Sequence, residues 1–525
     1  MMNHLIRITA LLIALQFLSG HQVNCDVLYI VPSSSADISC PGRITGEPCI
    51  TLQQYINGEF TQYFSNPDHL SDITLEFQPG KHPIYLHASY YSSASGFLSV
   101  SDLISFTMRS KSNNSTLTEI TCTSSDNNEY HPHIRISSVQ SVSISGITFK
   151  GCKTNIYSAT SLYSTTLIVK DSAFYGRTVP LYYSYREVSY FDIGNSLATV
   201  KRCTFTNCTV GLRGDTSSVT TIDHCSFINN EEAVELRHTP VHRYAPNMTI
   251  DQCSFINNGR AVQILNGSMQ ILTIRNSSFV DNKVKDGSGG AILMTGNHSS
   301  LAVHHCHFMN NSAEHNGGAI SFKGHSIILE KSTFNNNTAR DGGVISVRNA
   351  SVLIVNSTFS HNKANSTAGV LFVDDSRLII NGASFDNNTA GTSGGVISTK
   401  FVHVSLSISQ TSLTNNWAGR SGGVMYIGRA GSQVKISKST IGFNSATNRG
   451  GVIELLGSSL QINSTTIFNN TANHGDVIGT CTSNISVSEK LVTTVDPDYP
   501  VCTLFNGDIN ETASDDELED SITSS

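Results

Sequence analysis

The sequence is short of charge, of proline and of tryptophan, and each shortage narrows what the chain can be. Charged residues make up only 14% of the 525 residues, against roughly 25% in ordinary globular proteins. The formal net charge of −7 is mild for this length and gives no electrostatic footprint for nucleic acid or an anionic membrane. Trp417 is the only tryptophan, so no aromatic platform for sugar rings is evident. After the first residues no apolar run reaches the ~20 residues that a bilayer span requires. The acidic end of the chain, with Asp508, Asp515, Asp516, Glu517, Glu519 and Asp520, lacks the hydrophobic tail of a lipid-anchoring signal. Every Gly-Gly pair belongs to a long period rather than to a strand–loop–helix phosphate cradle.

Serine, threonine and asparagine fill the gap, and apolar residues recur throughout, which excludes disorder. Arg7 followed by the apolar stretch Ile8 to Leu18 reads as a secretory signal, residues 1–25. Seventeen Asn-x-Ser/Thr sequons and twelve cysteines agree with an oxidising, glycosylating compartment. The expected product is therefore secreted.

The main evidence is a repeat. Phe149, Phe174, Phe205, Phe227, Phe255, Phe279, Phe308, Phe334, Phe359, Phe385, Leu413, Ile441 and Ile467 follow one another at intervals of 22 to 31 residues. Apolar and mostly β-branched residues stand seven and five positions before them, as in Val142 with Ile144 and Ile327 with Leu329. A spacing of two marks a strand with one buried face; helical repeats would show three and four. Two positions before the anchor the residue is small (Ser172, Cys203, Cys225, Cys253, Ser277, Cys306), and the break in alternation ahead of it implies a corner. Three positions after it an asparagine recurs in ten successive coils, Asn230 to Asn470. These asparagines are expected to take the left-handed backbone of a turn and to bond one another in a ladder.

Further on come Gly-Gly pairs with a small aliphatic, such as Gly289-Gly290-Ala291-Ile292 and Gly342-Gly343-Val344-Ile345, at a corner that needs glycine. Each coil is thus expected to hold three short strands and three turns. Only a stack of coils can bury their apolar faces, and thirteen at about 4.8 Å each span on the order of 60 Å.

The recurring Gly-Gly-Ala-Ile and Phe-x-x-Asn motifs, as in Gly317–Ile320 and Phe334–Asn337, resemble the repeat of chlamydial polymorphic outer-membrane proteins over about residues 227–478. That resemblance implies a parallel β-helix and, by analogy, adhesion. It departs at the C-terminus, where no membrane barrel follows. The predicted fold is all-β: a single-stranded right-handed parallel β-helix, pectate-lyase-like, of about 13 or more coils with a short N-terminal capping helix. The expected organisation is a signal peptide over 1–25, a disulfide-bearing cap over 26–72, the β-helix over 73–480, and a C-terminal cap with an acidic disordered tail over 481–525.

Cys40 with Cys49, Cys122 with Cys152, and Cys481 with Cys502 are candidate disulfides. Thr51 is expected to cap a helix with Leu52, Tyr55, Ile56 and Phe60 turned inward. Cys203, Cys225 and Cys253 share one inward position; two of them could bridge, or all three could pack as small apolar residues.

The chemistry is sparse. Lys323, Arg348, Asp374 and Lys400 form a column on successive coils, with Asp375 beside it. A solvated charge ladder, a weak glycan site and a catalytic column remain its three readings. His304, His305 and His307 form the one dense histidine group, read as a surface cluster rather than a metal site. No cofactor and no metal are expected. Asn310, Asn336, Asn387 and Asn469, each directly before a ladder asparagine, are candidate glycosylation sites expected to face solvent. The functional expectation is a non-enzymatic adhesive or ligand-binding surface whose partner is an extracellular protein or glycan. Its alternatives are a polysaccharide lyase or glycoside hydrolase, and the ectodomain of a receptor.

Overall fold

The structure is a computed structural model that describes residues 25–31, 49–51, 72–86, 98–101, 105–112, 118–124, 134–137, 139–152, 154–157, 165–176, 189–194, 196–215, 219–237, 247–265, 271–399, 404–428, 430–481, 483–487, 492–495 and 502–506. The chain divides into two compact units, Met1–Cys152 with Ile156–Ala173, and Lys153–Asn155 with Phe174–Ser525. Among the described residues every regular element is a strand.

In the first unit, Cys25–Val31 pairs in parallel with Asp72–Phe77, which pairs in turn with Ser105–Ser110, and that with Ser141–Ser145. Parallel pairing thus begins ahead of Ile73. Thr51, expected at a helix N-terminus, instead ends the strand Cys49–Thr51 alongside Val31; Leu52, Tyr55, Ile56 and Phe60 lie outside the described residues. A disulfide joins Cys122 to Cys152, with their Cα atoms 4.9 Å apart.

The second unit is a right-handed parallel β-solenoid of about 11 turns, counted along the anchor column from Phe174 to Ile467. The first of the thirteen anchors, Phe149, belongs to the first unit, and the expected count of 13 or more coils is not confirmed. One winding shows the construction. Ser326–Glu330 forms the first wall, with Ile327 and Leu329 buried. Lys331 turns the corner at φ 48°, and Thr333–Asn335 forms the second wall around the buried Phe334. Asn336 turns again at φ 53°, and Thr338–Ala339 makes a two-residue strand. Gly342 and Gly343 then lead into Ile345–Arg348, the third wall. Seven successive coils, this one among them, therefore carry four strands, while coils such as Val219–Asp223, Ser226–Ile228 and Glu232–Arg237 keep the expected three. The extra one is too short to show a period of its own, but it stacks into a separate seven-stranded sheet.

Equivalent side chains pile up across the turns. Nine phenylalanine rings from Phe174 to Phe385 stack nearly parallel, with centroids 4.6–4.9 Å apart. This spacing is the strand separation itself, so the backbone ladder sets the aromatic contact.

The ten ladder asparagines form an unbroken chain of amides. The first nine Nδ2 groups each donate to the next coil's Oδ1 at 2.9–3.0 Å, and the last, Asn470, donates to the Phe468 carbonyl at 3.0 Å. Each also caps the preceding anchor's carbonyl, as Asn337 Nδ2 does for Phe308 at 3.1 Å. Cys208 takes the equivalent position one turn earlier and donates its backbone N–H to Asn230 Oδ1 at 2.9 Å. The expectation that these asparagines adopt the left-handed backbone is corrected. The positive φ falls one residue earlier, at Asn229, Asn257, Asp281, Asn310, Asn336, His361, Asn387, Asn415, Phe443 and Asn469, which frees the ladder residue to point inward.

The two glycines of each pair serve different ends. The first takes a positive φ, from 61° at Gly450 to 72° at Gly394, and Ala368 fills this position at φ 61°. The second lies against the neighbouring turn: a Cβ on Gly318 would fall against the carbonyl of Gly343 and within 2.6 Å of the Thr338 carbonyl. Only glycine fits there.

Candidate functional site

The third wall carries the charges. Strand alternation sends every second residue outward, and in register these residues form columns. Lys323 lies beside Arg348, and Arg348 beside Asp374, so three of the four column residues read from the sequence come together on consecutive turns. Lys400, the fourth, lies outside the described residues. Arg348 Nε donates to Asp374 Oδ2 at 3.2 Å; the arginine is 57% exposed and the aspartate 10%. Asp374 Oδ1 is buried and, among the described residues, bonds nothing. Lys323 faces solvent.

A second ionic group sits on earlier turns of the same wall. Arg213, Glu235 and Gln263 are in register, and Glu232 is opposite Arg260. Arg213 Nε donates to Glu235 Oε2 at 2.8 Å, with Glu235 fully buried. Arg260 Nη1 reaches Glu232 Oε1 at 3.2 Å and also donates to Gln263 Oε1. Gln263 Nε2 donates to both carboxylates, at 3.3 and 3.4 Å. Burial, reinforced by the neighbouring Glu235 charge, raises Glu232 to about 6. Burial also lowers Arg260, against the pull of Glu232 and Glu235.

Sequence reasoning missed this group because its coils lack the Gly-Gly pair used to find the third wall. The signal was nevertheless present. Arg213, Glu235 and Gln263 each stand eight residues after their anchors Phe205, Phe227 and Phe255, and Glu232 and Arg260 stand five after theirs.

The histidines disperse. His304 Nδ1 meets Glu330 Oε2 at 3.1 Å, and His307 Nδ1 meets Thr333 Oγ1 at 2.6 Å, while His305 turns a corner at φ 54°. Among the described residues no group of three or more potential metal ligands occurs, and no helix is long and apolar enough to cross a membrane. Asn310, Asn336, Asn387 and Asn469 are all exposed. Cys481 is disulfide-bonded, and the antiparallel register sets Cys502 opposite it. Cys40 lies outside the described residues, and Cys49 is described only as part of its strand.

Stacked short walls, a filled interior and outward ion columns define a parallel β-solenoid protein. The family described as a right handed beta helix region matches residues 132–299 and 280–418. Together these segments span more than half of the chain, and the protein belongs to that family. Comparison with curated proteins gives no match.

Proposed function

We propose that this is an extracellular, non-enzymatic β-helix protein whose third wall is a recognition surface for a glycan or protein partner. One observation carries the reading. Most charges gathered on that wall are paired across turns, and of its two glutamates Glu235 is enclosed while Glu232 keeps about a quarter of its side chain exposed. Glu235 has no exposed surface and is held by Arg213, so a substrate has no access to it. Lys323 and Arg348, by contrast, reach solvent and present donors to an incoming hydroxyl or anionic group. The extracellular part of the proposal rests on the sequons, seven of them on exposed corners of positive φ, and on the bridge between Cys122 and Cys152. Adhesion comes from the resemblance to polymorphic outer-membrane proteins and is an analogy of repeat motifs.

A glycan array and a cell- or matrix-binding assay with the purified chain test the proposal. Binding that falls at least tenfold in Lys323→Ala/Arg348→Ala, with no sugar released from a polysaccharide panel, is the expected result. Glu232 and Glu235 favour the enzymatic alternative, since two carboxylates with one raised to about 6 are what acid–base cleavage of a glycoside employs. Sugar release abolished by Glu232→Gln would establish that alternative and overturn the proposal.

A further inference from the structure

Three thiols occupy one inward position on successive turns. Cys203, Cys225 and Cys253 each stand two residues before a stacked phenylalanine. The registers on either side, Lys201 with Asp223, Thr204 with Ser226, Asp223 with Asp251 and Ser226 with Ser254, set them directly above one another. All three are buried, and none is disulfide-bonded. The Cys203 N–H donates to Cys225 Sγ at 3.4 Å, and the Cys225 N–H to Cys253 Sγ at 3.4 Å. Equivalent Cα atoms on neighbouring parallel strands lie about 4.8 Å apart, inside the roughly 4.4–6.8 Å span of disulfides. The chain already bridges two turns at such a distance, since the Cys122 and Cys152 Cα atoms are 4.9 Å apart. Cys203 and Cys253 are two steps apart, about 9.6 Å, and are out of reach of each other. Ser277 separates Cys253 from Cys306, and Cys208 belongs to the asparagine column, so neither Cys306 nor Cys208 joins the group.

We propose that Cys203, Cys225 and Cys253 form a redox-active trithiol that holds one disulfide, always through Cys225, and passes it between the two neighbours. The oxidant is a small-molecule disulfide. The Cys225 thiolate attacks one of its sulfurs, forming a mixed disulfide and expelling one thiolate. Cys203 or Cys253 then attacks the Cys225 sulfur, and the second small thiolate leaves. Two protein thiols are oxidised, one small disulfide is reduced, and the protons pass to the two released thiolates. Exchange follows the same course: the remaining neighbour's thiolate attacks the Cys225 sulfur, the old S–S bond breaks, and the displaced sulfur takes up the proton. Hydrogen bonds from the Cys203 and Cys253 thiols lower the Cys225 thiol, while the bond to Cys225 raises Cys253, so the shared sulfur ionises more readily than Cys253. Since the column is buried, the oxidant enters only when the corner opens, and equilibrium rather than rate is the quantity to read.

The test uses the full-length folded chain equilibrated with excess glutathione disulfide, then denatured with an alkylating agent and mapped by mass spectrometry. Free thiols among the three positions should fall from three to one, with two linkages found, Cys203–Cys225 and Cys225–Cys253. Cys203→Ser should leave only the second linkage and Cys253→Ser only the first, and Cys225→Ser should leave none. Serine already occupies this position at Ser172, Ser277, Ser332 and Ser357, so these variants retain the fold. Cys203 and Cys208 share a tryptic peptide, and Cys203→Ser separates their signals. Full alkylation of all three, glutathione adducts without a protein bridge, or a Cys203–Cys253 linkage would overturn the proposal.

Discussion

Replacing Asn337 by alanine tests the ladder where its geometry is most complete. Asn337 Oδ1 accepts from the backbone N–H and the Nδ2 of Asn311, both at 3.0 Å. Its Nδ2 donates to Asn362 Oδ1 at 3.0 Å and to the Phe308 carbonyl at 3.1 Å. Truncation removes four hydrogen bonds inside a column whose members are fully buried on either side. The backbone N–H of Asn311 then has no acceptor, and an orphaned buried group costs about 1–3 kcal/mol. With the bonds lost at Asn362 and Phe308, the total should come to about 3–5 kcal/mol. Asn336→Ala, one residue earlier on the exposed corner, forfeits asparagine's tolerance of the left-handed backbone and one solvent-exposed amide bond to Asn310 Oδ1 at 2.8 Å, together about 1–2 kcal/mol. Solenoids need not unfold in one step, so the sharpest assay is hydrogen exchange at the Asn311 amide. A local loss of about 3 kcal/mol speeds exchange by roughly 100-fold. Equal effects of the two variants, or an unchanged Asn311 amide, would refute the reasoning.

Further outcomes are expected elsewhere. Gly318→Ala should abolish soluble expression or lower the melting temperature by more than 5 °C, because its Cβ meets the backbone of the neighbouring turn; Gly317→Ala meets the Ile320 carbonyl of its own corner, at a position that Ala368 fills, and should be milder. Phe334→Ala in the middle of the ring stack should cost about 3–5 kcal/mol, read from urea midpoints against Phe443→Ala, an exposed ring that should cost under 1 kcal/mol. The folded value of Glu232 lies above its ordinary 4.5, at about 6. The folded state therefore binds the proton more tightly, and the stability so gained is fully present below pH 4.5 and lost as pH rises through 6. The loss is at most about 2 kcal/mol, and Glu232→Gln should flatten that decline in pH-dependent urea unfolding.

Much of the fold was legible because a solenoid writes its tertiary contacts as a period. The anchor phenylalanines, the inward pairs such as Ile327 with Leu329, and the asparagine three residues on all occupy the positions their spacing implies. Details that depend on single dihedrals were not legible. Asn336 and Asn337 are chemically identical neighbours, and only the backbone trace shows which one turns the corner and which one points inward. The strand Thr338–Ala339 has no room for an alternating pattern and emerges only through its pairing. The charged wall was half legible: Lys323, Arg348 and Asp374 stand at a fixed distance from the glycines, while Glu232, Glu235 and Arg260 lie on coils without them.

The sequence alone determined that equivalent residues recur at the right interval to stack, because period and residue size are one-dimensional properties. Which columns the stack encloses, and with them the raised Glu232 and the enclosed Glu235, was decided only by the folded chain. Burial depends on what neighbouring turns place over a side chain, and ionisation depends on the charges they bring beside it.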